Sequence, residues 1–150
     1  MELILWRHAE AEDGMPDMAR KLTSRGHKNA RRTAEWLLQR LPSKFTLLAS
    51  PSERTRQTAA ALGVSFKTAA SLAPGASVAE ILSTAEWPHH KGVVIVVGHQ
   101  PDLGRVAAHL LTGMQLEWSI KKGGVWWFTN QARNGDAEVR VRAVIAPDMI

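Results

Sequence analysis

Several residue types and patterns are missing from this 150-residue sequence. It contains no cysteine, which excludes disulfides, thiolate metal sites, iron–sulfur clusters and cysteine nucleophiles. It has no apolar run of the roughly 18 residues that a membrane span needs, and its start, MELILWRHAE, carries charge too early for a signal peptide. It also lacks repeats and long biased tracts. We therefore expect a folded, cytoplasmic protein with no membrane partner.

The size and charge of the chain narrow this expectation. A hydrophobic fraction of 45% over 150 residues is enough for one core, and residues 1–150 are predicted to form a single domain. The formal net charge is +5. Residues 1–56 hold 11 basic and 7 acidic side chains, and residues 57–150 hold 8 and 7, so the excess lies at the N-terminal end. This excess of positive charge favours an anionic partner: nucleic acid, a phosphorylated protein or a small phosphorylated metabolite.

Hydrophobic periodicity and turn residues predict strands that alternate with helices. In chain order we expect a strand at 2–6, a helix from Thr23 to Pro42, a strand at 45–49, a helix at 52–62, a weak strand at 66–72, a short helix at 77–86, a strand at 92–98, a helix from Pro101 to Gly113, and a β-hairpin around an Asn-Gly-Asp turn at 134–136. This alternation predicts a three-layer α/β/α sandwich with a mainly parallel central sheet.

Candidate functional residues follow the predicted strands directly. His8 ends the first strand, His99 ends the strand VVIVV, and Ser50 ends the second strand, with Arg54 in the helix after it. In an open α/β sheet, ligands bind beyond the carboxyl ends of the strands, so we expect these side chains to share one crevice.

Two imidazoles among guanidinium groups suit phosphoryl transfer. A neutral imidazole nitrogen can attack phosphorus, while arginine binds the phosphoryl oxygens and neutralises developing charge. A metal site is the competing interpretation, but the arginines would oppose a cation and no carboxylate cluster accompanies the histidines.

Four segments in order resemble the histidine phosphatase superfamily, also called phosphoglycerate mutase-like. They are LILWRHAEAED at the start, TSRG at 23–26, LLASPSERTRQTA at 47–59 and VIVVGHQPDLG at 94–104. The short chain, the RHA form and the RKLTSRG segment look most like the SixA-type phosphohistidine phosphatase branch. The resemblance implies a phosphoglycerate mutase-like fold and an enzyme that needs no metal or other cofactor.

The resemblance also implies roles for individual residues. His8 matches the nucleophile that becomes phosphorylated, and Arg7 and Arg54 match the two arginines that clamp the phosphoryl group. His99 matches the second histidine, which donates hydrogen bonds to that group. Arg20, in RKLT, matches a substrate-binding arginine at the mouth of the site.

The proton donor of the superfamily is missing from its usual place. Many members carry a glutamate in a Leu-x-Glu stretch after the third strand, where this chain has Leu72-Ala73-Pro74. Because imidazole is a far weaker base than an alkoxide, it can leave phosphorus with less help, which favours a phosphoramidate substrate. Glu10, Asp13 and Glu80 remain candidate acids.

Other polar residues have a simpler interpretation. His27, His89, His90 and His109 fall in predicted helices or loops without partners, and Arg56 is interpreted as a surface residue. The basic run from Arg20 to Arg32 holds no acid and is either a solvated helix face or a docking surface. Because aromatic residues are not interleaved with it, we expect no nucleic-acid partner. Of Trp126 and Trp127, one is expected to pack inward and the other to be exposed or at an interface.

Three functions remain at this point. The first is a metal-independent phosphatase that acts through a phosphohistidine intermediate, with a phosphorylated histidine-phosphotransfer protein as substrate. The second is a phosphomonoesterase of sugar or nucleotide phosphates. The third is a catalytically weak, phosphate-binding regulatory module. The absence of a long insertion that could form a lid favours a protein substrate.

Overall fold

The computed structural model of the chain describes residues 1–133 and 136–150. Its six strands are β1 (Glu2–Arg7), β2 (Thr46–Ala49), β3 (Lys67–Thr68), β4 (Val93–Gly98), β5 (Val125–Arg133) and β6 (Asp136–Ile145). Its four α-helices are α1 (Ser24–Leu38), α2 (Glu53–Ala60), α3 (Val78–Thr84) and α4 (Asp102–Thr112). Within the described residues, none of the helices is both long and apolar enough to cross a membrane.

All six strands form one sheet in the order β3-β2-β4-β1-β5-β6. The pairs β3·β2, β2·β4 and β4·β1 are parallel, whereas β1·β5 and β5·β6 are antiparallel. β1 therefore lies in the interior of the sheet, where Arg7 is opposite Gly98 of β4 and Trp6 is opposite Val125 of β5. The predicted, mainly parallel sheet is confirmed.

Helices cover both faces of the sheet because the side chains of β1 and β4 alternate between two apolar layers. Leu3 and Leu5 pack with residues of α3 and α4. Ile4 and Trp6 pack on the other face with residues of α1 and α2. Burial of β1 and β4 on both faces explains their continuous apolar sequences.

The helices begin at residues that can cap them. The side chain of Thr23 accepts a hydrogen bond from the Gly26 N–H, and Ser52 caps α2 in the same way. Gly26 also allows α1 to approach the chain that follows β1, since a Cβ at this position would overlap the carbonyl oxygen of Glu10. The predicted start of α1 is thus confirmed, and it is fixed against the segment that carries His8.

The structure corrects the predicted strand at 66–72. Only Lys67 and Thr68 pair with β2, and the chain then forms a 3₁₀ turn at Ala70–Leu72. Both paired residues are exposed at the edge of the sheet, so no apolar contact extends the strand.

The C-terminal hairpin is confirmed, although its predicted turn lies outside the described residues at positions 134 and 135. Trp127 is fully buried, and Trp126 stacks on Phe128 with ring centroids 6.2 Å apart. Trp127 is thus the tryptophan that packs inward, and Trp126 is half-buried against the core.

Candidate active site

The carboxyl ends of β1, β2 and β4 bring His8, Ser50 and His99 together. The His8 N–H donates to the Gly98 carbonyl at 3.0 Å, and the Ser50 N–H donates to the Val97 carbonyl at 3.0 Å. The rings of His8 and His99 have centroids 5.4 Å apart, with relative exposures of 8% and 3%. Two nearly buried imidazoles therefore lie side by side at the carboxyl ends of these strands.

The hydrogen bonding of His8 determines which ring nitrogen is free. Its Nδ1 lies 2.7 Å from the carbonyl oxygen of Ala9. A carbonyl oxygen can only accept, so Nδ1 carries the proton and Nε2 carries the lone pair. Burial lowers the pKa of His8 to about 4, and the charges of Arg54, Arg7 and Arg20 oppose protonation further. His8 is thus a neutral imidazole with an available nitrogen.

Arg54 enters the site from the first turn of α2. It is 4% exposed, and its Nη2 lies 3.4 Å from Nδ1 of His99. Nη1 donates to the carbonyl of Asp17 at 2.8 Å, and Nη2 contacts the Asp17 carboxylate at 3.1 Å. These contacts fix the guanidinium against the histidine pair.

Arg7 comes from the end of β1. Its Nη1 donates to the carbonyl of Ile120 at 2.8 Å. The Nε atoms of both Arg7 and Arg54 are buried, and within the part of the chain that the structure describes neither has an acceptor. Buried guanidinium donors without protein acceptors suit an oxyanion.

His99 contacts Ser50 through its other ring nitrogen. Nε2 lies 2.8 Å from Oγ of Ser50, which is fully buried. Oγ also accepts the N–H of Ser52 at 3.3 Å. Because a guanidinium can only donate, Nδ1 of His99 accepts from Nη2 of Arg54. The ring proton is therefore on Nε2, which donates to Oγ of Ser50. Burial lowers the pKa of His99 to about 3, with the charges of Arg54 and His8 adding to the effect.

Arg20 is connected to Arg54 through the side chain of Asp17. Its Nη1 contacts the Asp17 carboxylate at 3.1 Å, and its Nε donates to the Glu12 carbonyl at 2.7 Å. Asp17 therefore bridges Arg20 and Arg54, and hydrogen bonds from both arginines lower the pKa of Asp17.

The three candidate acids lie at different places. Glu80 caps its own helix through Ser77. Asp13 is fully exposed, 3.9 Å from Arg20. Glu10 accepts a hydrogen bond from the Thr23 hydroxyl at 3.0 Å. Among the described residues, no carboxylate hydrogen-bonds to either histidine of the pocket.

Sequence reasoning missed the roles of two residues. Ser50 is recognisable as the residue that ends β2 at the same edge of the sheet, and that position was the available signal. Asp17 gave no signal, because it is a half-exposed carboxylate in a loop and only the folded chain shows its contact with Arg54, 37 residues away.

The residues interpreted as structural lie away from the pocket. His27 is on α1, and His109 is on α4. His90 contacts Glu86 at 3.0 Å. Arg56 is exposed and contacts Glu53.

The lowered pKa values predict activity that persists in mildly acidic solution. If His8 is the nucleophile, as the resemblance implies, it attacks only when neutral; since its pKa is about 4, kcat/KM should stay nearly constant from pH 7 down to about 5 after correction for ionisation of the substrate. It should decline only below that range. A pH–rate profile, recorded on enzyme shown by circular dichroism to be folded at each pH, measures this. A decline centred near pH 6.5 would mean that His8 titrates as an exposed imidazole.

Replacement of Ser50 by alanine should weaken the site through His99. Without the hydroxyl, the Nε2–H of His99 loses its acceptor and the ring is held less firmly against Arg54, so we expect kcat to fall about tenfold. ¹⁵N chemical shifts of the ring should show the Nε2–H tautomer in the wild type and a shifted Nε2 resonance in the variant. Ser52→Ala, which removes a neighbouring hydroxyl that caps α2, is the control and should lose stability but keep the tautomer. Unchanged ring shifts in Ser50→Ala would contradict this role.

Sequence comparison places the chain in a family. Residues 3–77 match the family model of the histidine phosphatase superfamily (branch 1). An uncharacterized protein from Picosynechococcus sp. is 37% identical over 141 residues, which cover 83% of this chain and 82% of that protein. The chain belongs to the histidine phosphatase superfamily.

Solved structures refine this assignment to the SixA type. A protein from Nakamurella multipartitia, assigned as the phosphohistidine phosphatase SixA, aligns with a TM-score of 0.81 and 28% identity over 97% of this chain and 95% of its own. The protein histidine phosphatase SixA complexed with tungstate aligns with a TM-score of 0.77 and 23% identity over 99% of each chain, which shows the shared fold. The phosphoglycerate mutase-like fold expected from the sequence is confirmed, and the chain is a SixA-type phosphatase of this superfamily.

Proposed function

We propose that this phosphatase hydrolyses phosphohistidine on a protein through a phosphohistidine intermediate on His8. The observation that carries the proposal is the tautomer of His8. Its Nδ1–H is held by the Ala9 carbonyl at 2.7 Å, which leaves the Nε2 lone pair of a neutral ring as the nucleophile. Arg54 and Arg7 lie close enough to His8 for their charges to lower its pKa, and their guanidinium groups can donate to the phosphoryl oxygens.

In the first step, Nε2 of His8 attacks phosphorus in line with the leaving imidazole. A new N–P bond forms as the N–P bond of the substrate breaks, and the substrate ring, protonated from solvent on its other nitrogen before the attack, leaves as neutral imidazole. Arg7 and Arg54 offer guanidinium donors to the nonbridging oxygens, and His99, which accepts a hydrogen bond from Nη2 of Arg54 at 3.4 Å, keeps that guanidinium in position as charge develops.

In the second step, water attacks phosphorus of the phosphorylated His8. The N–P bond breaks, and inorganic phosphate and neutral His8 are released. The same donors serve both steps, because the phosphoryl group stays in the pocket while its partner changes.

The carboxylates near the site support a leaving group that needs little protonation. Asp17 contacts Arg54, but its pKa is lowered by hydrogen bonds from Arg20 and Arg54, so it is ionised at neutral pH and cannot act as a general acid. An alkoxide leaving group would need such an acid far more than imidazole does. This favours a phosphoramidate over a sugar or nucleotide phosphate.

The exposed mouth supports a protein as the carrier of that phosphohistidine. The connection between β1 and α1 is anchored at the pocket by Asp17, while its residues 12–19 are exposed. The connection therefore borders the pocket and leaves it accessible to a phosphohistidine on a protein surface.

Direct comparison of substrates tests the proposal. The enzyme is incubated with a histidine-phosphorylated phosphotransfer protein and, in parallel, with p-nitrophenyl phosphate and a sugar phosphate. We expect kcat/KM to be highest for the phosphoprotein. Equal or better turnover of the esters would favour a phosphomonoesterase, and binding of phosphate without turnover of any substrate would identify a binding module.

A further inference from the structure

A basic pocket lies beside the proposed phosphoryl site. It has a volume of about 380 Å³. The charged side chains that line it are Arg7, Arg25, Lys121, Lys122, Glu10 and Asp148. Arg7 belongs to both places, since it ends β1 immediately before His8. The basic pocket and the proposed phosphoryl site are therefore neighbours, and Arg7 belongs to both.

Backbone contacts fix the lysines of this basic pocket close to His8. The Gly123 N–H donates to the carbonyls of both Arg7 and His8, at 3.1 and 3.0 Å. Arg7 in turn donates to the carbonyl of Ile120. The segment that carries Lys121 and Lys122 is thus bound at Gly123 to the backbone of Arg7 and His8 and at Ile120 to the Arg7 guanidinium.

The charges in the basic pocket are unbalanced. Four cations face two carboxylates, and one of these, Glu10, already accepts a hydrogen bond from Thr23. Within residues 1–133 and 136–150, Arg25, Lys121 and Lys122 have no carboxylate within 4.0 Å. All three side chains are exposed, so they can meet an anionic group from solution.

The basic run that the sequence left open is divided by the fold. Arg20 contacts Asp17 at the mouth, and Arg25 lines the basic pocket. Arg31 lines a different concavity with His27. The basic run from Arg20 to Arg32 therefore does not form one continuous surface. Of its members, Arg25 lines the basic pocket, together with Lys121 and Lys122 from the C-terminal part of the chain.

We propose that the basic pocket is a subsite for carboxylate side chains that flank the phosphorylated histidine of the protein substrate. The inference rests on the proposed function and adds a specificity determinant to it. On a helix, residues three or four positions from the histidine lie about 5–6 Å from it, so acidic residues one turn away can reach a pocket that shares Arg7 with the phosphoryl site. Complementary charge there accelerates encounter and fixes the orientation of the substrate.

Two peptides that differ only in charge test this subsite. Both contain one histidine phosphorylated with phosphoramidate; the positions three and four residues away on each side are glutamate in one peptide and glutamine in the other. We expect kcat/KM to be about tenfold higher for the glutamate peptide. The double variant Lys121→Glu/Lys122→Glu should abolish or reverse this preference and change hydrolysis of free phosphohistidine less than about twofold.

A matched variant separates local from overall charge. Lys44→Glu/Lys91→Glu makes the same change in net charge at exposed positions before β2 and β4, at the opposite edge of the sheet, and should keep the preference. High salt should reduce the preference in the wild type.

Several outcomes would overturn the inference. One is equal turnover of the two peptides by the wild type; another is an equal loss on both peptides and free phosphohistidine in the Lys121/Lys122 variant. If a small bisphosphorylated ester alone lost turnover in that variant, the pocket would bind a second phosphate instead. If the wild type hydrolysed phosphate esters but no phosphohistidine, this result would disprove the proposed function. The inference about the basic pocket depends on that function and would be disproved as well.

Discussion

Replacement of His8 by alanine is expected to lower kcat by about 10⁴-fold or more and to abolish the phosphoenzyme. The variant lacks the ring whose Nδ1–H is held by the Ala9 carbonyl, which leaves Nε2 as the nitrogen with the lone pair. His99 cannot replace it, because its Nε2 is engaged with Ser50. The donors of the pocket remain, so the variant should still bind phosphate.

Rapid quenching with a ³²P-labelled phosphodonor measures this result. The wild type should give an acid-labile, alkali-stable label that peptide mapping places on His8, and His8→Ala should give none. His27→Ala, which changes a histidine of α1 in a different concavity, should be labelled normally. Equal labelling and turnover in His8→Ala would disprove the covalent mechanism.

Replacement of Arg54 by lysine is expected to lower kcat/KM by about 10²- to 10³-fold. The guanidinium contacts the Asp17 carbonyl, the Asp17 carboxylate and Nδ1 of His99 at once. Its buried Nε has no acceptor among the described residues. A lysine ammonium is a single point of charge and cannot make these contacts together.

Arg56→Lys is the matched control for this prediction. Arg56 lies two positions further along α2, is exposed and contacts Glu53, so its replacement should leave kcat/KM within about twofold. Calorimetric titration with tungstate, a tetrahedral oxyanion, should show weaker binding in Arg54→Lys and unchanged binding in Arg56→Lys. A similar, small effect in the two variants would remove Arg54 from the proposed clamp.

The central part of the fold could be predicted because strands that are buried on both faces consist of continuous runs of apolar residues. The apolar runs LILW and VVIVV favour strands covered on both faces, and β1 and β4 are such strands. Thr23 and Ser52 mark the starts of helices, since their side chains cap them. β3 could not be predicted accurately, because its two paired residues are exposed and its extent depends on the neighbouring strand.

The site could be predicted in part because parallel strands place the residues that follow them at one edge. His8, Ser50 and His99 occupy those positions and meet there. The ring tautomers could not be predicted, since that of His8 depends on its contact with the Ala9 carbonyl and that of His99 on its contacts with Arg54 and Ser50. The contacts of Asp17 with Arg20 and Arg54 could not be predicted either. The same holds for the basic pocket, which brings Arg25 together with Lys121 and Lys122 from a distant part of the chain.

The position of β1 inside the sheet has a consequence for synthesis of the protein. Of the six strands, β1 is synthesised before the others. One of its neighbours, β5, begins only at Val125. The Gly123 N–H, which donates to the carbonyls of Arg7 and His8, comes just before β5. At ordinary rates of translation this delay is on the order of 10 s. The nascent chain therefore carries His8 well before the pocket around it can close, and a ribosome stalled before residue 123 would display a chain with the family's N-terminal motif and no assembled site.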